Sequence, residues 1–393
     1  MSSHGLARTT RGRTEKERNE AVEKIGAYRS LESQIRRRVS IVPKSWHMRR
    51  SHKSLSNKRF LKATHQEYNR DTFQLSTQLL EWNPEYYTIW NVRRRCLKIN
   101  MLPSPFEFKG DHVLRTTSSV DDVAYSQEIT EHILQSELDF SQVLFKAHPK
   151  CYWIWKYRLW ILDQVMEWLP TAAARVIWDK ELALNSKLLL KDRRNFHAWA
   201  FRRHVVAKLE STVLQGNSMI ELEFDFTTRM IRQDLSNFSA WHNRTQLIPR
   251  LLQERKLGDE ARREFLEDEL HFVLGALNVD ADDQSLWYYH KYLMYNLIGS
   301  STYQSVAPRL PLKDRKTYIS QEIANTEELA EDYAGVKWIW EALVEQTLAM
   351  LLLDGLPVGI QDRANLSLWL QNLKTLDPKR TGRWEHWEHS IGI

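Results

Sequence analysis

Two side chains that can stabilise negative charge flank a cysteine near the start of a predicted helix. Lys150 offers an ammonium group and Tyr152 a hydroxyl donor, on either side of Cys151. We expect both to lie in the first turn of that helix, where unpaired backbone N–H groups and the helix dipole favour anions. A solvated lysine and a packing tyrosine are equally ordinary there, so both interpretations stay open. His197 stands at the matching turn of the next predicted helix pair.

Thiol and metal chemistry have few candidates in this chain. Its only cysteines are Cys96 and Cys151, no CxxC motif occurs, and the 14 histidines are scattered. A zinc site needs three or four clustered ligands, so we expect none in this chain. So few cysteines also fit a reducing compartment. No signal-peptide-like segment follows the start and no apolar run approaches about 18 residues, so we expect a cytoplasmic chain without a membrane span.

The elements that position these residues are predicted to be helices. The chain has 13 glycines and 11 prolines in 393 residues, far fewer turn-forming residues than an all-β protein needs. Sixteen tryptophans and 14 tyrosines, with 42% apolar and 27% charged residues, exclude intrinsic disorder for most of the chain. The composition therefore predicts an all-α protein.

A repeat appears in the spacing of aromatic and basic residues. Starting from Pro84, a tyrosine, a tryptophan and an arginine follow at +3, +6 and +9, as Tyr87, Trp90 and Arg93. Four further copies are centred on Trp155, Trp199, Trp241 and Trp287, and the last of these has His290 at the arginine position. A degenerate sixth copy is predicted around Trp338.

A second mark fixes the register of the repeats. In four copies an acidic residue is followed by an apolar residue that lies 17 positions before the tryptophan; these pairs are Glu137 and Leu138, Glu181 and Leu182, Glu223 and Phe224, and Glu269 and Leu270. Phe73 keeps the same offset before Trp90, without the acid. Because this offset is constant while the distance between tryptophans varies, each unit is a helix pair followed by a variable loop.

The units predict an α-solenoid, a right-handed superhelix of helical hairpins. We expect Asn83 to cap the second helix of the first pair, with Pro84 at its first position. The +3 aromatic residues and the tryptophans are expected to pack between neighbouring pairs, since an aromatic stripe at helical spacing usually belongs to the core. The repeated arginine is expected to bind carbonyls or carboxylates of the next unit.

The charge distribution sets the first segment apart. Residues 1–59 contain 16 Lys and Arg against 5 Asp and Glu, while the remainder is net acidic. We expect a basic N-terminal extension over residues 1–70, with a helix near 15–38 and a disordered insertion at 39–59, and the repeat domain over 71–393. A basic run also suggests nucleic acid or an anionic surface, but the acidic body argues against nucleic-acid binding along the solenoid.

The repeats resemble those of protein prenyltransferase alpha subunits, whose form is N-P-x-x-Y-x-x-W-x-x-R. The resemblance covers residues 71–393. The fifth copy, Asp282 to His290, the ending Leu373 to Arg380 and the start His4 to Arg8 are similar to Rab geranylgeranyltransferase (type II) alpha subunits, in the short form without immunoglobulin-like or leucine-rich-repeat domains.

The resemblance implies a heterodimeric enzyme. A beta subunit would hold the catalytic Zn²⁺ and the lipid, and the pair would transfer geranylgeranyl from geranylgeranyl diphosphate to C-terminal cysteines of Rab GTPases presented by Rab escort protein. By motif match, Lys150 and Tyr152 fall on the family's diphosphate-contacting positions, and His197 is a weaker neighbour. His4 falls where a histidine can reach the partner's zinc as an extra ligand, although a solvated tail residue is the simpler interpretation.

Two other functions compete with this one. The alpha chain shared by farnesyltransferase and geranylgeranyltransferase type I has the same repeats, and the fifth copy and the C-terminus weigh against it. A non-enzymatic helical-repeat scaffold of the half-TPR kind also repeats tryptophan and tyrosine. Its period is nearer to about 34 residues, whereas the distances between successive tryptophans here are 65, 44, 42 and 46 residues.

Overall fold

The computed structural model of the chain describes residues 15–39, 67–102, 120–298 and 305–393. His4 and residues 40–59 of the predicted insertion lie outside these ranges. The described residues form fifteen α-helices, two 3₁₀ helices (Thr212–Leu214 and Pro378–Arg380) and no strand, which confirms the all-α class. The helices are α1 Glu15–Val39, α2 Arg70–Trp82, α3 Tyr87–Asn100, α4 Val120–Ala147, α5 Tyr152–Trp168, α6 Thr171–Lys191, α7 Phe196–Leu209, α8 Ile220–Gln233, α9 Phe238–Glu254, α10 Asp259–Leu277, α11 Gln284–Ile298, α12 Leu312–Asp332, α13 Lys337–Asp354, α14 Ile360–Leu376 and α15 Thr381–Ile391.

Consecutive helices pair as hairpins, as the repeat predicts. Helices α2 and α3, α4 and α5, α8 and α9, α10 and α11, α12 and α13, and α14 and α15 pack against each other. The chain divides into two compact units, Met1–Glu181 and Leu182–Ile393, and the boundary falls inside α6. Helix α1 packs on α2 in the first unit, and α11 packs on both α9 and α13 in the second.

The turn inside each hairpin is fixed by an indole hydrogen bond. Trp90 Nε1 donates to the carbonyl of Pro84 at 2.8 Å, six residues earlier. The same bond joins Trp155 to Pro149, Trp199 to Arg193, Trp241 to Leu235 and Trp287 to Ala281. These five tryptophans are at most 5% exposed. The repeated tryptophan therefore fills the core and satisfies a turn carbonyl at the same time.

The predicted start of the second helix is wrong by three residues. Helix α3 begins at Tyr87, and Asn83 is the C-terminal cap of α2 rather than the N-terminal cap of α3. Asn83 Oδ1 instead accepts from the backbone N–H of Glu85, which closes the turn. Proline fits this position because the turn uses its carbonyl, which it keeps, and not the N–H that it lacks.

The sixth copy is centred on Trp340, not on Trp338. Trp340 Nε1 donates to the carbonyl of Ala334 at 2.9 Å, the same six-residue bond as in the other copies. Helix α13 begins at Lys337, three residues after Ala334, just as the earlier second helices begin at the +3 position. Glu322 and Ile323 also keep the acidic and apolar offset before Trp340, so the sequence contained a signal that favours this register.

Buried ion pairs join successive repeats. Arg158 on α5 donates from Nε and Nη2 to both carboxylate oxygens of Glu181 on α6, at 2.5 and 2.6 Å. The same two-pronged pairing links Arg93 to Glu137, Arg202 to Glu223 and Arg244 to Glu269, and His290 contacts Glu322 at 2.8 Å. The repeated arginine of one hairpin thus pairs with the repeated acid of the next. This confirms the expectation that the arginine binds a carboxylate of the next unit.

Each repeated arginine is also held by its own hairpin. Arg158 Nη1 donates to Ser141 Oγ and to the carbonyl of Leu138, both at 2.6 Å. Arg202 and Arg244 bind hydroxyls of α6 and α8 in the same way; these are Ser186, Thr227 and Thr228. Because guanidinium groups donate in a fixed planar fork, this arrangement fixes the angle between one hairpin and the next.

Candidate functional site

The turn before α5 places Lys150 and Tyr152 side by side at the start of the helix. Helix α5 begins at Tyr152 with Cys151 as its N-terminal cap, so Lys150 lies one residue before the cap. The expectation that Lys150 sits in the first helical turn is therefore wrong. Its side chain is exposed, and the Tyr152 ring is 49% exposed. Both side chains are open to a ligand or a partner.

Cys151 packs this turn against the preceding hairpin. Its side chain is 2% exposed, and Sγ lies 3.5 Å from the carbonyl of Pro84 in the preceding hairpin. Burial raises the pKa of the Cys151 thiol to about 11. The residue is therefore a thiol at neutral pH and serves as a small packing residue, not as a nucleophile.

The N-terminus of α5 differs from those of the next two second helices. Asn195 caps α7 by accepting from the backbone N–H groups of His197 and Ala198, and Asn237 caps α9 by accepting from Ala240. No side-chain cap bond of this kind is made by Cys151, and the first turn of α5 has no acidic residue. The start of α5 is thus the more favourable of the three for an external anion.

His197 lies at the start of α7, in the second compact unit. It is the second residue of α7, half-buried, with its ring 4.0 Å from that of Phe196 between centroids. Lys150 and Tyr152 belong to the first compact unit and His197 to the second. Lys150 and Tyr152 belong to one turn, and the role of His197 beside them stays a prediction.

The +3 aromatic residues are exposed in three copies, whereas Tyr87 of the first copy is half-buried and packs on Trp153 of the next hairpin, with ring centroids 5.3 Å apart, as expected. Tyr152, Phe196 and Phe238 are 49%, 65% and 51% exposed, although each precedes a buried tryptophan by three residues. Each is the first residue of its helix. Phe238 still contacts Tyr288 of the next hairpin, with ring centroids 6.1 Å apart, so the neighbouring hairpin covers these first residues only in part.

The described residues contain no group of three or more His, Cys, Asp or Glu side chains placed to bind a metal ion. None of the helices in these ranges is long and apolar enough to cross a membrane. What the site offers is an ammonium, a phenol and an uncapped helix start. These groups can stabilise an anion, and an electrophile or an activated thiol would have to be brought by another molecule.

The repeats match a known family model, the protein prenyltransferase alpha subunit repeat, over residues 70–99, 134–165, 178–209, 220–251 and 266–297. These segments contain the five tryptophans that make the indole bond to the turn carbonyl. The match therefore covers the same hairpins that the spacing indicates.

Similar proteins carry one name across fungi and mammals. The geranylgeranyl transferase type-2 subunit alpha of Saccharomyces cerevisiae is 31% identical over 319 residues, which cover 81% of this chain and 85% of that protein. The Schizosaccharomyces pombe subunit is 31% identical over 332 residues, with 83% and 86% covered. The Mus musculus subunit is 31% identical over 237 residues, which are 60% of this chain but 35% of that protein.

A solved structure shares the fold. The Candida albicans protein geranylgeranyltransferase-I complexed with GGPP superposes with a TM-score of 0.52 over 83% of this chain and 85% of that chain, at 18% identity. At that identity the likeness bears on the arrangement of helices and not on the reaction.

Proposed function

The chain belongs to the geranylgeranyl transferase type-2 alpha subunits, and from this premise we propose that it acts with a beta subunit to geranylgeranylate Rab GTPases. In this proposal the beta subunit holds the catalytic Zn²⁺ and the lipid, and Rab escort protein presents the C-terminal cysteines of the acceptor. The observation that carries the proposal is the 31% identity across 85% of the Saccharomyces cerevisiae type-2 alpha subunit. We place the reaction in the cytoplasm.

The proposed task of this chain in the reaction is to stabilise the leaving group. When a thiolate attacks an allylic diphosphate, negative charge grows on the departing diphosphate as the carbon–oxygen bond breaks. A preorganised cation and a hydroxyl donor act where that charge develops. Lys150 and Tyr152 supply these two groups at the start of α5, where no side-chain cap competes with an anion.

The zinc of the beta subunit would supply a thiolate at neutral pH by lowering the pKa of the acceptor cysteine. The residues of this chain would hold the diphosphate in place. His197 would be a neighbour of this site, and His4 would approach the partner's zinc as a displaceable ligand.

The beta subunit is proposed to cover the exposed +3 aromatic residues. Tyr152 in the first unit, and Phe196 and Phe238 in the second, are each about half exposed or more at helix starts. Aromatic side chains that stand out from a surface contribute strongly to binding when a partner buries them. The same contact would bring the lipid diphosphate of the partner to Lys150.

The test is co-expression with candidate beta subunits, followed by purification and assay. We expect a stable complex with the type II beta subunit that prenylates Rab GTPases only when Rab escort protein and geranylgeranyl diphosphate are present. The isolated chain should show no turnover. Robust turnover by the chain alone, or failure to bind any beta subunit, would overturn the proposal.

Acceptor choice separates the type II proposal from the type I and farnesyl alternative. A type I or farnesyl alpha chain would support modification of short CaaX peptides without an escort protein. The relatives named above carry the type-2 name, although the shared fold with a type I enzyme keeps this arm of the assay informative. Modification of CaaX peptides and not of Rab GTPases would favour the alternative.

A further inference from the structure

A concave groove lies between α3 and α5 in the first unit, about two turns along α5 from Tyr152. Its cavity measures about 400 Å³ and it is lined by Asn91, Arg94, Arg95, Lys98, Ile99 and Trp160. We call it the α3/α5 groove. Three of these residues are cations and none is acidic, and the only large aromatic wall is the indole of Trp160. The groove therefore combines positive charge with one stacking surface.

The three cations of the α3/α5 groove form no ion pair with a carboxylate among the described residues. Arg94 Nη1 donates to Asn91 Oδ1 at 2.9 Å, and Arg95 Nη1 donates to the Tyr68 hydroxyl at 2.6 Å. Lys98 Nζ lies 5.8 Å from the centre of the Trp160 ring. The partners of these side chains in the described part of the chain are thus a neutral amide, a phenol and a ring, none of which carries a negative charge.

The repeated arginines of the same chain show the contrast. Arg93, the neighbour of Arg94 on α3, binds both oxygens of the Glu137 carboxylate. Among the described residues Arg94 has no such partner, and its Nε atom is buried without a hydrogen bond. Burial lowers the pKa of Arg94. Removing a charged donor from water without a counter-ion costs free energy, so an anion that enters this groove would recover part of that cost.

Ring contacts do not replace the missing counter-ion. The Arg94 guanidinium lies 5.4 Å from the centre of the Tyr157 ring and 5.6 Å from that of Trp160. Such contacts stabilise a cation only weakly and do not neutralise its charge.

Two of the cations, Arg94 and Lys98, follow each other along one face of α3. Arg94 and Lys98 are four residues apart on α3, so they are separated by about 6 Å along the helix axis. In an extended peptide, side chains on one face repeat about every 6.6 Å, since each residue rises about 3.3 Å and alternate residues share a face. The two spacings match. A segment with acidic residues at alternate positions can thus pair one carboxylate with each cation.

We propose that the α3/α5 groove binds an extended acidic segment of a partner protein. Alternate carboxylates of the segment pair with Arg94 and Lys98, and the backbone or an apolar side chain of the segment packs on Trp160. A free phosphate fits less well, because it has no apolar surface to pack on the indole of Trp160. A lipid surface is also disfavoured, since membrane binding usually needs a larger basic cluster of about 4–8 residues on an open face.

The test measures binding of a labelled peptide to the full chain in complex with its beta subunit. The probe is a peptide of about ten residues that alternates glutamate and serine, and the comparison peptide alternates lysine and serine. We expect only the acidic peptide to bind, and its binding should be weaker at about 300 mM salt than at about 50 mM salt. The charge-reversal variant Arg94→Glu with Lys98→Glu should weaken binding by about tenfold or more, because attraction at both positions becomes repulsion.

A matched control keeps the charge change and moves it elsewhere. Lys146→Glu with Lys180→Glu alters two exposed lysines of α4 and α6 in the same unit by the same net charge. This variant should bind the acidic peptide as the parent does. If the charge-reversal variant of the groove fails to fold by circular dichroism, the neutral variant Arg94→Gln with Lys98→Gln serves instead, and it should also bind several times more weakly.

Several results would overturn the proposal. One is equal weakening in the groove and control variants, which would show a general charge effect. Another is no salt-sensitive binding of the acidic peptide. A third is binding of inorganic phosphate or of phosphatidylserine vesicles, at concentrations where the peptide does not bind, that is lost in the charge-reversal variant of the groove. The readout is peptide binding and not prenyl transfer, so failure of this proposal and failure of the proposed function show in different measurements.

Discussion

Breaking one buried inter-repeat ion pair from one side should cost far more stability than removing both partners. Arg158 and Glu181 have side chains 2% and 4% exposed, and two hydrogen bonds join them. In Glu181→Leu, the guanidinium keeps Ser141 and the carbonyl of Leu138 as partners but loses its counter-ion. In Arg158→Met, the Glu181 carboxylate stays buried and loses both hydrogen bonds from the guanidinium. We expect each single change to destabilise the chain by about 3–5 kcal/mol.

The double variant Arg158→Met with Glu181→Leu should cost less than either single change. It leaves no buried charge, and Ser141 Oγ already donates to the carbonyl of Leu138 at 2.9 Å, so these two groups stay bonded to each other. Replacing a buried pair by apolar side chains of similar volume is often nearly neutral. The strain of ill-fitting side chains is then the main cost, at about 1–2 kcal/mol.

Urea unfolding followed by circular dichroism measures these differences, and hydrogen exchange should place the loss at α5 and α6. The exposed pair Arg255 and Glu221 is the control, with side chains 36% and 53% exposed. Glu221→Leu should cost less than about 1 kcal/mol. Single changes at Arg158 and Glu181 that cost no more than this control, or a double variant as costly as their sum, would refute the reasoning.

Three further predictions concern the site and the repeats. Lys150→Ala should slow the single-turnover rate of prenyl transfer by about 10²-fold, as for loss of one preorganised donor, with a smaller effect on lipid binding; an unchanged rate would leave Lys150 a surface lysine. Tyr152→Phe should slow the same step less, because it removes a hydroxyl and keeps the ring, and a larger loss than in Lys150→Ala would contradict this order. Trp340→Phe should lower the thermal midpoint more than Trp338→Phe, because the indole of Trp340 holds the turn carbonyl of Ala334; the reverse order would restore Trp338 as the centre of the sixth repeat.

Much of the fold could be predicted because its spacing is dictated by hydrogen bonds of fixed reach. The indole of Trp90 must meet a carbonyl six residues earlier, and Arg93 must meet Glu137 of the next hairpin. Both demands leave constant offsets in the sequence. The role of Pro84 was misjudged because a proline before a helix usually occupies its first position, whereas here only its carbonyl is used.

The exposure of the candidate site was harder to predict than its position. Tyr152 and Trp155 share a helix and a three-residue spacing, and a stripe of this kind indicates burial for both. The structure buries Trp155 to 4% exposure but leaves Tyr152, the first residue of α5, at 49%. Only the true start of the helix separates the two, and helix boundaries are the least certain feature of a sequence pattern.

The buried pairs that join the repeats also determine how the series ends. At the position of the repeated acid, the first repeat has Thr72, which is fully buried and uncharged. At the position of the repeated arginine, the sixth repeat has Leu343, also fully buried. Helix α1 packs on α2 of the first repeat, and helix α14 packs on α13 of the sixth. Because both positions without an ion-pair partner carry uncharged side chains, the helices that cover the two ends of the repeat series meet no unpaired buried charge there.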